Sequence, residues 1–187
     1  MENIIKSLEE KFNISEVIQK SDNLNILTVD KKQAIGLIVY LKEIEKFSHL
    51  VMLSAVDWLE DGKFQLSYIL NNPEKKIDLI IRVFISREKP EMESIHKIWV
   101  HAATDQRELK EMYGIEFPES PRLNDDFLLE GWDNIPPMRR DFDTLKYSEE
   151  TFFPRPGRQT YETKEYMKEK MYPDEKNSKN KKGLKDA

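Results

Sequence analysis

The chain changes character at Gly114. Before this residue, apolar side chains recur at helical or strand spacing, whereas after it six prolines between positions 118 and 156 interrupt every window long enough for a helix. The later segment is nevertheless rich in large apolar side chains such as Phe127, Trp132 and Phe142, and disordered segments are usually poor in aromatic residues. The pattern predicts a regular domain over residues 1–114 and an extended arm over residues 115–160 that docks on a protein surface.

The regular part predicts the element order αββαβββα. Helices are expected over residues 2–12, 31–47 and 92–113, with Asp30 as an N-cap and Gly114 as a C-cap. Two alternating runs within residues 14–30 flank a turn at residues 21–23, and three further strand patterns follow at residues 49–59, 64–70 and 77–85. The fold class is therefore α+β: a two-layer domain with a mainly antiparallel or mixed sheet, followed by the extended arm.

The last segment, residues 161–187, is predicted to hold a short helix and a disordered basic tail. Apolar residues between Tyr161 and Met171 favour the helix, and a Lys- and Asn-rich run over residues 176–182 is typical of a solvated tail. No stretch approaches the ~20 apolar residues that cross a bilayer, and the first residues lack signal-peptide character. We therefore expect a soluble, cytoplasmic protein.

Charge and cysteine content exclude several functions. The net charge of −5 argues against nucleic-acid binding, which requires a basic surface. The sequence contains no cysteine, so it can form no disulfide, no thiol nucleophile, no thiolate zinc site and no cysteine-held iron–sulfur cluster. Any redox chemistry must use cofactors held by other chains.

The remaining polar residues do not form a recognisable catalytic site. His96 and His101 would point about 140° apart if they lie on one helix, so they could not share a metal ion. Ser54 and Asp57 are close in sequence but lack a nucleophile elbow, and no glycine-rich phosphate loop is present. We expect Asp57 to hydrogen-bond a turn or to meet a basic residue of the arm.

Arg139, Arg140 and Asp141 follow a Pro-Pro step in the arm. Two guanidinium groups at such a position could bind carboxylates of a partner in bidentate fashion, or they could form internal salt bridges. The sequence leaves both possibilities open.

The helix and arm together resemble the C subunit, or thirty-kilodalton subunit, of respiratory complex I, a module that also occurs in membrane-bound energy-converting [NiFe] hydrogenases. The resemblance covers residues 99–142 and, more loosely, the preceding element order. The matching positions are Trp99, Ala102, Arg107-Glu108-Leu109, Met112-Tyr113-Gly114-Ile115, Pro121, Leu128-Leu129, Trp132 and Pro137-Met138-Arg139-Arg140-Asp141-Phe142, with Val56-Asp57-Trp58 matching a strand of the family.

Three departures from the family pattern favour the hydrogenase branch. Gln106 replaces the first Glu of a Glu-Arg-Glu step, the segment 124–127 replaces an Arg-Arg pair, and Pro136-Pro137 replaces His-Pro. The alternatives are the C subunit of an NADH–quinone oxidoreductase, a soluble adaptor without redox partners, and a free-standing enzyme that uses Asp57, Glu108 or a histidine.

The resemblance implies a cofactor-free, non-catalytic subunit of an oxidoreductase complex in its peripheral arm, on the inner face of the cell membrane. Its partners would be the large catalytic subunit and the small iron–sulfur subunit, which would hold the iron–sulfur clusters and, in a hydrogenase, the NiFe centre. The chain would contact no nucleic acid, and it would reach the membrane only through the complex. The residues expected to bind the partner are Glu108, Trp132, Arg139, Arg140, Asp141 and Phe142.

Overall fold

A computed structural model describes residues 2–152 of the chain. The predicted order αββαβββα is confirmed, and a further short helix follows it. The elements are α1 (Glu2–Lys11), β1 (Ile14–Gln19), β2 (Leu24–Val29), α2 (Lys31–Glu43), β3 (His49–Trp58), β4 (Lys63–Asn72), β5 (Ile77–Ser86), α3 (Ala102–Tyr113) and α4 (Thr144–Thr151). The predicted helix over 161–171 and the basic tail lie outside the described residues.

The five strands form one mixed sheet in the order β1-β2-β5-β4-β3. The hairpin of β1 and β2 and the meander of β3, β4 and β5 are antiparallel, and the two units join through a parallel pairing of β2 with β5. Residues 25–29 of β2 are all buried, as expected for a strand at a parallel pairing. The predicted mainly antiparallel or mixed sheet is thus confirmed.

One face of the sheet carries the hydrophobic core. Alternate residues of β4 and β5 point into it, including Tyr68, Leu79 and Ile81, and they pack with apolar side chains of the helices, such as Leu37 of α2 and Leu109 of α3. Asp30 begins α2 as predicted, because its side chain accepts a hydrogen bond from the Lys32 backbone N–H at 2.8 Å. We call this side of the sheet the core face and the opposite side the open face.

The helix predicted over residues 92–113 is shorter in the structure, because α3 begins only at Ala102. Residues 96–101 form turns instead, in which the N–H of Ile98 and Ala102 bond to carbonyl groups three residues earlier. Ile95 and Trp99 are buried in both arrangements, so their spacing could not distinguish turns from a helix. His96 and His101 therefore do not share a helix, contrary to the prediction.

The compact unit that contains the sheet does not end at Gly114 but continues to Thr144. Ile115 and Phe117 are fully buried in the core. The Glu116 backbone pairs with the segment before the α3 turns, donating to the Pro90 carbonyl at 2.7 Å and accepting from the Met92 N–H at 2.9 Å. The compact unit thus extends across residue 114, and the division into a regular domain and an arm at this residue stays a prediction.

Tyr68 lies fully buried in the middle of the core face, and its hydroxyl has no hydrogen-bond partner among the described residues. A buried unpartnered hydroxyl costs free energy that an apolar side chain of the same shape does not. We expect Tyr68→Phe to raise the free energy of unfolding by about 1 kcal/mol in urea denaturation.

Tyr40→Phe is the matched control, because the Tyr40 hydroxyl accepts a hydrogen bond from the Lys11 ammonium. This change should leave the free energy of unfolding equal or lower. A loss of stability in Tyr68→Phe would contradict the prediction and would indicate a buried water bound to the hydroxyl.

Candidate functional site

The site is built around Asp57 and Arg87, which lie at the ends of two strands that run in the same direction. Asp57 lies at the end of β3 and Arg87 directly after β5, with β4 between them. The Arg87 Nε and Nη2 atoms donate to the two oxygens of the Asp57 carboxylate at 2.9 and 3.2 Å. Both side chains are largely buried, and this bidentate pairing satisfies a charge that would otherwise be costly to bury.

The arm completes this cluster of charges. The Arg140 backbone N–H donates to Asp57 Oδ2 at 2.9 Å, so the carboxylate takes donors from both the sheet and the arm. Arg87 also reaches Asp141 at 2.6 Å, and Asp141 accepts from Arg139 Nε at 3.2 Å. We call Asp57, Arg87, Arg139, Arg140 and Asp141 the clasp, because they hold the arm against the ends of β3 and β5.

The electrostatics of the clasp favour its charged form. The hydrogen bond from Arg87 lowers the pKa of Asp141 below its ordinary value of 3.8, burial opposes this effect, and Arg139 adds to it. The pKa of Arg87 is raised by its bonds to Asp57 and then to Asp141. The side chain of Arg140 turns to the exposed Glu60, whose pKa it lowers.

Phe64 of β4 supplies the apolar support for the clasp. The guanidinium carbons of Arg87 and Arg139 lie 5.7 and 5.9 Å from the centre of its ring. The ring itself is fully buried and packs edge-on against Tyr113 at a centroid distance of 6.0 Å. The two cations are thus placed beside an aromatic ring, where cation–π attraction adds to the ion pairs.

A second set of contacts ties the arm to the end of α3. The Glu111 carboxylate accepts the backbone N–H groups of Phe127 and Leu128 at 2.7 and 2.8 Å. Burial tends to raise the pKa of Glu111, but these backbone donors outweigh it and the pKa is lowered. The guanidinium of Arg107 lies 5.3 Å from the centre of the Phe127 ring.

The last turn of α3 receives the arm directly through its backbone. Gly114 ends the helix in the left-handed conformation with φ of 77°, which confirms the predicted C-cap. A Cβ atom at this position would lie 3.3 Å from Pro136, so glycine also allows the arm to approach closely. The Met138 N–H then donates to the Met112 carbonyl at 3.0 Å.

The aromatic residues of the arm pack on one another. The rings of Trp132 and Phe142 meet edge-on at 5.5 Å, and the Trp132 indole N–H donates to the Ile135 carbonyl at 3.0 Å. Together these contacts close residues 132–142 of the arm into a loop.

Six residues were predicted to bind a partner, and five of them lie together in the structure: Trp132, Arg139, Arg140, Asp141 and Phe142. Their contacts in the structure are with other residues of the same chain. Arg139, Arg140 and Asp141 form internal ion pairs, so the second possibility left open by the sequence is realised in this chain. Glu108 lies apart from them, exposed on α3, and in residues 2–152 no hydrogen bond or ion pair joins it to the others. Their role towards a partner stays a prediction.

Sequence reasoning anticipated Asp57 but missed Arg87 and Glu111. Asp57 meets the arm as expected, through the backbone rather than the side chain of a basic residue. The sequence signal for Arg87 was its position directly after a strand. Because β3 and β5 run in the same direction, their last residues lie at the same end of the sheet. No local pattern identifies Glu111 as an acceptor for backbone groups sixteen and seventeen residues away.

The part of the chain that the structure describes holds no group of three or more His, Cys, Asp or Glu side chains arranged for a metal ion. His96 Nδ1 contacts the Ser94 hydroxyl at 2.9 Å, and His101 Nε2 contacts the Leu50 carbonyl at 3.1 Å. Over residues 2–152, no helix is long and apolar enough to span a membrane.

The model of one protein family, described as "Respiratory-chain NADH dehydrogenase, 30 Kd subunit", matches residues 27–148. The chain belongs to this family. The match includes most of the sheet, α2, α3 and the clasp, so the arm contacts described above lie within the family region.

Relatives in this family belong to several complexes. The C subunit of the NADH-quinone oxidoreductase of Moorella thermoacetica is 31% identical over 147 residues, which cover 76% of this chain and 95% of that protein. The C subunit of the F(420)H(2) dehydrogenase of Methanosarcina mazei is 33% identical over 147 residues, covering 75% and 90%. The C/D subunit of the NADH-quinone oxidoreductase of Psychrobacter cryohalolentis is 28% identical over 169 residues, which cover 85% of this chain but 28% of that longer protein.

A solved structure shows the same fold. A chain of the membrane-bound sulfane sulfur reductase, described as an archaeal respiratory membrane complex, superposes with a TM-score of 0.71 at 22% identity, covering 85% of this chain and 98% of that one. The α+β fold with its mixed sheet is therefore shared with a chain of that complex.

The clasp predicts a large effect of removing Asp57. In Asp57→Ala, Arg87 loses its main acceptor while it remains mostly buried, and the Arg140 N–H loses its partner. Breaking one side of a buried pair costs about 3 kcal/mol. We expect urea denaturation to show a loss of this size and limited proteolysis to begin in the arm.

Arg122→Ala is the control, because Arg122 pairs with Asp125 in an exposed position. Exposed ion pairs contribute on the order of 0.5 kcal/mol. Equal losses in the two variants would show that the clasp does not hold the arm.

The clasp also predicts a direction of pH dependence. Because the pKa of Asp141 is below 3.8 in the folded chain, its contribution to stability is complete above that value and is lost as the pH falls through the folded pKa. We expect an NMR titration of the Asp141 carboxyl carbon to show a midpoint below 3.8, and Arg87→Met to move it upwards. A midpoint at or above the ordinary value in the unaltered chain would rule out the ion pair in solution.

Proposed function

We propose that this chain is a non-catalytic subunit of a membrane-associated respiratory complex and that its arm docks on the large subunit of that complex. The observation that carries the proposal is the arrangement of the arm: its charged clasp lies towards the domain, while a ridge of apolar side chains lies towards solvent. The ridge consists of Leu128, Ile135 and Met138, which are 71%, 40% and 55% exposed.

The ridge suits a docking role because its backbone is already held in place. Phe127 and Leu128 are fixed by Glu111, and Met138 by the last turn of α3. A partner that binds a preorganised segment need not restrict the conformation of that segment, so more of the apolar contact contributes to affinity. Exposed apolar side chains grouped on one rigid segment mark an interaction site more strongly than scattered ones.

The charge around the ridge indicates the chemistry of the partner surface. Residues 124–134 carry four carboxylates and no Lys or Arg, namely Asp125, Asp126, Glu130 and Asp133. Only Asp125 has an ion pair within the described residues. An apolar groove bordered by Lys and Arg would complement this segment, and the association would weaken at high salt.

The C/D relative from Psychrobacter supports the large subunit as the partner. In that protein the region similar to this chain belongs to a longer polypeptide whose name combines the letters C and D. We propose that the same pairing is made here between separate chains, with the small iron–sulfur subunit as a second neighbour. The absence of cysteine from the sequence agrees with a chain that supports iron–sulfur clusters, and in a hydrogenase a NiFe centre, held by these partners.

Two branches of the family fit this role. The departures at Gln106 and Pro136 favour an energy-converting [NiFe] hydrogenase, while the names of the relatives from Moorella and Methanosarcina favour a complex that oxidises NADH or reduced F420.

The complex isolated through an affinity tag on this chain should be assayed for hydrogen evolution and for quinone reduction by NADH. Recovery of the chain only from the soluble fraction, without redox subunits, would favour an adaptor instead.

Changing Leu128 and Met138 to Ser tests the ridge. Both side chains are exposed, so the double variant should keep the stability of the isolated chain, but each lost contact should weaken assembly by about 1–2 kcal/mol. We expect the tagged variant to recover less than a tenth of the large subunit from solubilised membranes. Val100→Ser is the control, because Val100 is 86% exposed on a different segment.

Full recovery of the large subunit with the double variant would contradict docking through the ridge. Equal loss with Val100→Ser would show that the effect is not specific to the arm.

A further inference from the structure

The open face of the sheet is unusually apolar for the face opposite the core that helices α1, α2 and α3 cover. Pairing across the strands aligns five apolar side chains into one row that crosses the whole sheet. The row consists of Ile18, Ile26, Ile80, Ile69 and Met52. None of the five belongs to the core cluster, although Ile26 is itself buried, and the row is about 19 Å long at the usual strand spacing.

A parallel row beside it is polar and has Arg82 at its centre. This row consists of Glu16, Thr28, Arg82, Ser67 and Ser54. Beyond it, Phe84 and Val56 are 39% and 42% exposed on either side of Gln65, so apolar side chains are present in the rows on both sides of the arginine. Solvated sheet faces usually alternate polar residues towards water, and this one departs from that rule.

Arg82 lacks the acceptors that its surroundings require. Its side chain is 22% exposed, and its Nε atom is buried without a hydrogen-bond partner among the described residues. Its one ion pair in that part of the chain is with Glu16 at 3.7 Å, which is beyond hydrogen-bond distance, and Glu16 is itself half exposed. A guanidinium has five N–H donors, so this cation is strongly under-satisfied for a position in the middle of a sheet.

We propose that the open face is a second docking surface, and that it binds a partner subunit through an apolar surface carrying a carboxylate that pairs with Arg82. The proposal rests on the proposed function, since it assumes assembly with other subunits. A partner carboxylate would supply the bidentate acceptor that Arg82 lacks, and the isoleucine row would exclude water around the pair.

The position of Arg82 argues against a second copy of this chain as the occupant. Arg82 lies on β5, the third of the five strands, and therefore near the centre of the face. A two-fold axis through this centre would place two Arg82 guanidinium groups against each other, which like charges disfavour. A partner of different sequence, with an acidic side chain at the matching point, has no such conflict.

The test is Arg82→Met, which keeps an unbranched apolar stem and removes the poorly satisfied charge. The isolated chain should melt at the same or a higher temperature, because a poorly satisfied buried cation is replaced by an apolar group. The fraction of chain retained in the solubilised membrane complex should nevertheless fall at least tenfold. Arg82→Lys should give an intermediate loss, since a lysine keeps the charge but not the bidentate geometry.

Lys97→Met is the matched control, because Lys97 is an exposed cation that already pairs with Glu119. It should leave assembly unchanged. If Arg82→Met fails to fold, Phe84→Ser at the edge of the same face should also reduce retention tenfold, and hydrogen exchange of β4 and β5 should be slower in the complex than in the isolated chain.

Several results would overturn the proposal. Unchanged retention of Arg82→Met in the complex would overturn it. If the Leu128 and Met138 double variant dissociated in the same assay, the proposed function would stand without the second surface. Dimers of the isolated chain that Phe84→Ser disrupts would assign the face to a second copy. Faster exchange in β5 of the isolated chain after truncation at residue 152 would assign it to the chain's own last residues.

Discussion

The carboxylate of Asp57 is the contact on which the arrangement of this chain depends. It is buried at the end of β3, and burying a carboxylate is unfavourable unless its oxygens receive enough donors. Arg87 supplies two, and the Arg140 backbone supplies a third. One side chain therefore joins two strand ends to a segment more than eighty residues later. The irregular arm is for this reason part of the folded unit rather than an appendage to it.

In this arrangement charged residues of the arm face the domain and apolar residues of the arm face solvent, which is the reverse of the usual distribution. Arg139 packs inwards on the ring of Phe64 and Asp141 pairs with Arg87, while Leu128 and Met138 remain exposed. In a chain that functions alone, burial of the apolar side chains would be the more stable choice. The inversion is understandable if the outer surface is covered on assembly, as we propose for both the ridge and the open face of the sheet.

Much of the fold could be predicted because it depends on local patterns. Alternation in the strands, the Asp30 cap and the Gly114 stop each act within a few residues, and all are present as predicted. The predicted start of α3 at residue 92 was wrong, because the spacing of Ile95 and Trp99 is compatible with both successive turns and a helix. The partners of Asp57 and Glu111 were beyond local reasoning, since Arg87, Phe127 and Leu128 meet these carboxylates only after the strands and the arm are in place.

The arm is attached largely through its own backbone, and this has a consequence for the divergence of related chains. Asp57 accepts from the N–H of residue 140, Glu111 from those of residues 127 and 128, and the carbonyl of residue 112 from that of residue 138. Main-chain donors are present whatever side chain a non-proline residue carries. Substitutions along the arm can therefore alter the surface that it displays without altering its path. A single scaffold can in this way acquire new binding specificities through outward-facing substitutions alone, at little risk to its own folding.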